Sequence, residues 1–418
     1  MTARSRPPAH TDFAVMCAVG VCARLSYAMA RTPVLALFAV ALGAAPEMIG
    51  LIVGISTVTG IIFKLPSGAL SDLVGRRVML IAGLAVFALV PFAYLLVSGT
   101  GGLLVVRFVH GFATAIYGPV AMAAVADIAG ARKGELMSWF SSLNIAGTLC
   151  GALLGGYLLW RLPEGGAAAI ADFHTIYAVV GGFGVLALAL ASTRLGALAP
   201  GDLAPEARRS LRAIARRFAE GVRTIASDYR VIVTSSMEGL QNMALGALEA
   251  FLPVYAVSVV GLNAFQAGAL WAVQIVATLA AKPLMGRIAD RAGRKPLIVA
   301  GMALCAGAFV TIPTSDSFAP LIALALAFGL GEALVTSSAA AMVADMCERR
   351  HYGAAMGVFG TYFDIGHAAG PIVAGLLLAA SSGNYFAAFL PLAVLLAAGT
   401  ALFAFTVKET GNGTDSIR

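Results

Sequence analysis

Long apolar runs, separated by short clusters of charge, glycine or proline, recur along the whole chain. They predict helices near residues 13–41, 47–67, 77–97, 102–126, 135–160 and 173–194, then near 230–260, 264–285, 296–313, 318–345, 352–380 and 384–407. Each run stays apolar for about 18 residues or more, enough to cross a bilayer as a helix. None shows the in-and-out alternation of a barrel strand, the only other backbone form that satisfies its own hydrogen bonds in lipid. The expected fold is therefore an all-α membrane protein with twelve transmembrane helices in two six-helix bundles, residues 1–194 and 230–418. The polar stretch between them, 195–229, carries Arg208, Arg209, Arg212, Arg216, Arg217 and Arg223, with Leu211, Ile214, Phe218 and Val222 at helical spacing. That pattern predicts an amphipathic linker helix lying along the membrane surface.

Composition agrees with a chain that uses lipid as its solvent: of 418 residues, 60% are hydrophobic and 12% charged, and the mean hydropathy is +0.89. A net charge of +7 would suggest nucleic acid if the cations lined one soluble face, but they collect in alternate loops. Arg76 and Arg77, Arg132 and Lys133, the linker arginines, Arg291, Arg294 and Lys295, and Arg349 and Arg350 fall in one set of loops; the other set holds essentially only Arg161. Cations are retained on the cytoplasmic side, so a multi-pass protein of a bacterial-type inner membrane with both termini cytoplasmic is expected. The five cysteines lie scattered without paired spacing, which implies neither a disulfide framework nor a metal site.

The chain repeats itself. Gly68-Ala-Leu-Ser-Asp72-Leu-Val-Gly75-Arg76-Arg77 matches Gly286-Arg-Ile-Ala-Asp290-Arg-Ala-Gly293-Arg294-Lys295 at a separation of 218 residues, which also aligns Lys64 with Lys282 and Asp127 with Asp345. Equivalent residues are six spans apart, so the halves share one membrane orientation and should be related by an axis along the membrane normal.

With these residues in view, the sequence resembles the major facilitator superfamily, whose loop between the second and third spans reads G-x-L-x-D-x-x-G-R-[RK]. Gly68, Leu70, Asp72, Gly75, Arg76 and Arg77 match it, and Gly286, Asp290, Gly293, Arg294 and Lys295 form the weaker second copy. The resemblance implies a gating loop that stabilises the outward-facing state; retention of the loop on one side is the plainer alternative. Arg107 in the fourth span is similar to an arginine that the family associates with proton coupling. An arginine in hydrocarbon is costly by at least roughly 2.5 kcal/mol, so Arg107 should face a cavity or a carboxylate, unless it snorkels to the interface. Gly147, Gly151, Gly155 and Gly156 in the fifth span resemble the glycine series of drug/proton antiporters, although Gly151-Ala152 stands where that series has Gly-Pro. Ordinary helix packing would also use such spacing.

Other intramembrane polar groups form stripes. Glu238, Gln241, Asn242 and Glu249 share a face of the seventh span and are expected to line a central cavity. Arg24, Tyr27 and Arg31 share a face of the first, Asp364 and His367 are neighbours at i, i+3 with Tyr362 close by in the eleventh, and Glu332 lies inside the tenth. The proton-coupling candidates are Arg107, Asp364, Glu238, Glu249 and His367; the substrate-cavity candidates are Arg24, Tyr27, Arg31, Gln241, Asn242, Glu332 and Tyr362. No phosphate-binding loop for ATP occurs, so transport should be secondary. The first expectation is a proton-coupled antiporter of multidrug type that exports small amphipathic or hydrophobic compounds by alternating access. The second is a transporter of an organic anion bound by Arg24 and Arg31. Neither needs a cofactor, a metal or enzyme chemistry, and the expected partners of a monomeric chain are a small molecule, protons and lipid, not nucleic acid.

Overall fold

The computed structural model describes residues 9–163, 168–195, 227–347 and 351–408. Nearly all of the linker expected at 195–229 lies outside them, as do Arg349 and Arg350. Among the described residues there are thirteen α-helices: α1 (Ala9–Arg31), α2 (Val34–Ala41), α3 (Pro46–Val74), α4 (Arg76–Ala93), α5 (Thr100–Ala129), α6 (Lys133–Arg161), α7 (Ile170–Arg194), α8 (Tyr229–Ser258), α9 (Ala264–Ala292), α10 (Arg294–Thr311), α11 (Phe318–Asp345), α12 (Tyr352–Ala380) and α13 (Tyr385–Thr406). Among the described residues they provide twelve stretches long and apolar enough to cross a bilayer, the first of them made of α1 and α2 together. The run expected as one helix over 13–41 is broken at Thr32 and Pro33, because proline has no N–H to continue the ladder.

Helix ends differ most from expectation at the repeated signature. The apolar run of α3 stops near Lys64, yet the helix continues to Val74 and carries Gly68 and Asp72 within it. Polar residues do not end a helix. A glycine with positive φ does: Gly75 at 99° and Gly293 at 88° each form the single residue between two helices. The expected loop is thus one glycine set between α3 and α4, and its counterpart stands between α9 and α10.

The chain divides into two compact units, one of residues 1–44 and 55–207, the other of 45–54 and 208–418. In the first, α1 packs against α6 and α7, and α4 against α5 and α7. Met16, Val19, Ala23, Leu80, Leu84, Phe87, Val120 and Phe140 form its core. In the second, α8 packs on α12, and α11 on both α9 and α10. Lipid is as apolar as leucine, so close backbone approach rather than hydrophobic transfer holds such helices together. The glycines show how. A side chain on Gly147, Gly151 or Gly155 of α6 would meet backbone atoms of α1 at Val21, Leu25 or Met29. Gly366 and Gly370 of α12 lie in the same way on Gly239 and Met243 of α8. The series that resembles an antiporter motif is a packing seam, present once in each unit.

Candidate functional site

The signature residues form a latch within the first unit. Arg76 Nη1 lies 2.5 Å from Asp72 Oδ1, and Arg76 Nε donates to Asp127 Oδ2 at 3.1 Å. Arg76 Nη1 also donates to Ser71 Oγ at 2.7 Å, and Arg77 Nη2 donates to the Ser192 carbonyl at 3.0 Å. In the second unit Arg294 Nη1 meets Asp345 Oδ2 at 2.6 Å. Arg294 and Asp345 stand 218 residues beyond Arg76 and Asp127, so the internal repeat extends to an ion pair. Gly286 and Asp290 belong to α9, and the Asp290 side chain lies outside the described residues. Lys295 follows Arg294 in the first turn of α10.

Arg107 is fully buried in α5, and its surroundings differ from the carboxylate or cavity expected. Its Nη2 donates to Tyr27 Oη at 3.3 Å and its guanidinium carbon lies 5.1 Å from the centre of the Tyr27 ring. Tyr94 and Tyr177, stacked at 3.9 Å, complete an aromatic cage, and His110 bonds Tyr94 at 3.1 Å. Phenol oxygens and ring faces replace an acidic partner. Tyr27 is therefore a partner of Arg107, and Arg31 acts on it electrostatically from the end of α1. Snorkelling is ruled out by the burial.

Arg24 turns to a different place. It lines a cavity of about 260 Å³ in the first unit with Tyr117, Met122, Phe140, Ser141, Asn144, Ile145 and Thr148. Tyr117 Oη and Asn144 Oδ1 are buried there without a hydrogen-bond partner among the described residues. A guanidinium, a phenol, an amide and the hydroxyl residues Ser141 and Thr148 around one space, with Met122, Phe140 and Ile145 as its apolar part, suit a small molecule that carries an acidic group.

Most buried polar groups of the second unit belong to α8. Asn242 Nδ2 donates to Glu238 Oε1 at 3.2 Å and to Gln241 Oε1 at 3.0 Å, and Thr336 of α11 donates to Glu238 Oε1 at 3.2 Å. Glu238, Gln241 and Asn242 are at most 1% exposed. On α11, Glu332 accepts from Gln274 Nε2 and, at 3.0 Å, from Thr278 Oγ1, both of α9. Lys282 acts electrostatically on both carboxylates. Further along α8, Glu249 Oε2 lies 2.9 Å from His367 Nε2 of α12. The i, i+3 spacing of Asp364 and His367 suggested one neighbour for the histidine; the helix packing supplies this other. Asp364 and Tyr362 are half-buried in α12, and the Tyr362 carbonyl faces Gly239.

Comparison with known proteins fits this arrangement. The model of the Major Facilitator Superfamily matches residues 16–278 and 243–417. The chain belongs to the major facilitator superfamily. It is 25% identical over 373 residues to an uncharacterised MFS-type transporter of Methanocaldococcus jannaschii, covering 88% of this chain and 89% of that one. It is 32% identical over 122 residues to an uncharacterised MFS-type transporter of Burkholderia pseudomallei, 27% of this chain and 30% of the relative. Among solved structures, the nucleoside transporter NupG superposes with a TM-score of 0.78 at 11% identity, over 95% of this chain and 100% of that one. A bacterial homologue of the human lysosomal transporter Spinster gives 0.77 at 13%, over 96% and 97%. At such identities the likeness establishes the shared fold. The protein is thus a multi-pass MFS transporter of a small-molecule substrate.

Within that MFS fold the sequence candidates separate into distinct places. Arg24 and the Arg107–Tyr27 pair are in the first unit but in different surroundings; Glu238, Gln241 and Asn242 form one network with Thr336; Glu332 has its own partners on α9. The sequence reading missed Tyr94, Tyr177, Asn144, Gln274, Thr278 and Thr336 because their roles depend on which helices meet. Asp127 and Asp345 were signalled by their place in the repeat.

Proposed function

We propose that this transporter is a proton-coupled carrier of small organic anions that works by alternating access. The observation that carries the reading is the cluster of the second unit: Glu238, fully buried, accepts from Asn242 and Thr336, Glu332, part-buried, accepts from Gln274 and Thr278, and Lys282, exposed on α9, is the cation that acts electrostatically on both. With all three ionised, one negative charge is in excess, and a buried excess charge is costly. Binding of one proton removes the excess, and contacts that change during the transport cycle would release it. The Arg24 cavity supports an acidic substrate, and its apolar wall of Phe140, Met122 and Ile145 supports one with a hydrophobic part. That wall is also what favours the second reading, export of amphipathic compounds of multidrug type. Loop charges support a bacterial-type inner membrane with cytoplasmic termini, which labelling of single cysteines near either end would check.

The test is transport in proteoliposomes under an imposed pH gradient, with labelled acidic and cationic amphipathic probes. The expected result is gradient-driven accumulation of the acidic probe, lost in Glu238→Gln and Glu332→Gln while exchange without a gradient persists. Gradient-driven flux surviving in both variants, and in Asp364→Asn and Arg107→Ala, would sink the coupling assignment. Flux of the cationic probe alone would favour the export reading.

A further inference from the structure

One face of α8 carries more unanswered polar atoms than helix packing explains. Thr234 Oγ1, Ser235 Oγ, Glu238 Oε2, Gln241 Nε2 and Asn242 Oδ1 are all buried without a hydrogen-bond partner among the described residues. Their spacing of three, four and seven residues puts them on one stripe. Hydroxyls in helices ordinarily satisfy themselves on the carbonyl one turn back. Ser236, beside them, does so on Ile232 at 2.8 Å, as do Thr148 on Asn144 at 3.1 Å and Thr361 on Gly357 at 2.9 Å. Thr234 and Ser235 do not. Asn242 commits its amide hydrogens to the Glu238 carbonyl at 2.9 Å, to Glu238 Oε1 and to Gln241 Oε1, which leaves its oxygen as a free acceptor beside the free carboxylate oxygen.

Four of the five open atoms are oxygens, two of them on side chains one helical turn apart. Among the described residues no three His, Cys, Asp or Glu side chains converge as a transition-metal or zinc site would require. Carboxylate, amide and hydroxyl oxygens suit a hard cation instead. The charge selects its valence: Glu238 and Glu332 exceed Lys282 by one negative charge, which a monovalent ion neutralises and a divalent ion would overshoot.

We propose that Glu238 Oε2 and Asn242 Oδ1 are the protein ligands of a single Na⁺ ion, with the hydroxyls of Thr234 and Ser235 holding its remaining water. The inference rests on the reading of Glu238 as the coupling carboxylate and gives that side chain a monovalent ion to hold. The charged or titratable groups that act on Glu238 are Glu332 of α11, Lys282 of α9 and Cys305 of α10; Tyr362 of α12 lies one residue along, against Gly239.

The test is thermal unfolding of the full chain in nanodiscs at alkaline pH, in NaCl, LiCl, KCl or choline chloride at equal ionic strength. Direct binding of radiolabelled Na⁺ to the native chain is measured beside it. The expected result is a Tm higher in NaCl than in choline chloride by roughly 2–4 °C, with saturable Na⁺ binding. Asn242→Leu and Glu238→Gln lose the difference, and Ser236→Ala keeps it. Equal Tm values in NaCl and choline chloride with no Na⁺ bound by the native chain overturn the proposal, as does an undiminished response in Asn242→Leu. If Na⁺ fails while Glu238 still governs pH-driven accumulation, the inference falls and the proton reading stands. Na⁺ binding without any pH-driven accumulation leaves the converse.

Discussion

Gly360 and Gly366 lie in the same helix, α12, and the same substitution should have opposite effects at the two. An added Cβ at Gly360 would meet nothing within 4 Å, so Gly360→Ala gains helix propensity and stabilises by roughly 0.5–1 kcal/mol. At Gly366 the new carbon would run into the Gly239 carbonyl oxygen of α8, with the carbonyl carbon 2.7 Å and the Cα 3.0 Å away. Carbon contacts are best at about 3.5–4.0 Å, so α8 and α12 must part by roughly 1 Å, because backbone cannot turn aside as a side chain does. A gap of that size forfeits about a quarter to a half of each contact along the seam, and overpacking of this kind costs about 1–3 kcal/mol. Gly366→Ala should therefore unfold more easily than Gly360→Ala by about 1–3 kcal/mol in equilibrium unfolding from mixed micelles. It should also disturb His367, the next residue, and its 2.9 Å contact with Glu249. If the two variants proved equally stable, the seam would not be the close-packed contact described, and the explanation of the glycine series would fail with it.

Arg24→Ala should weaken binding of an acidic probe about 10- to 100-fold, the loss of one charge-assisted hydrogen bond of about 1.5–3 kcal/mol, and leave a neutral isostere unaffected; counterflow with the two probes measures this. Arg76→Ala and Arg294→Ala should each slow transport while changing stability by less than about 1 kcal/mol, since their carboxylate partners are nearly half exposed; rate and unfolding measurements on the same preparations separate the two. Asp228 caps α8, and its hydrogen bonds to Arg230 hold its carboxyl below the usual range. That contribution is complete above the ordinary carboxylate pKa and disappears as the pH falls through the lowered value. Asp228→Asn should therefore reduce stability by less than about 1 kcal/mol near neutrality and by nothing in strong acid, read from unfolding midpoints against pH.

The number and order of the spans were legible because a bilayer demands long apolar runs, and loops interrupt them with charge. Where a helix stops was less legible. Asp72 reads as a loop residue by polarity, but only Gly75 has the backbone freedom to end the helix, so α3 extends well past its apolar part. Local spacing placed Glu238, Gln241 and Asn242 together correctly, since one helix fixes their geometry. It did not find Thr336 beside Glu238, His367 beside Glu249 or the tyrosines around Arg107, because each depends on a contact between helices distant in sequence. The repeat alone carried long-range information: the match of Asp127 with Asp345 anticipated a pair of equivalent residues, and each proved to face the equivalent arginine.

Those duplicated ion pairs bear on how the chain is made. Asp72, Arg76 and Asp127 all precede residue 195, so the first latch has every one of its parts in hand before the ribosome has begun the second. The first ion-pair latch can therefore close before the second is made, so a long hydrophobic polypeptide leaving the translocon meets its polar contacts in two successive stages.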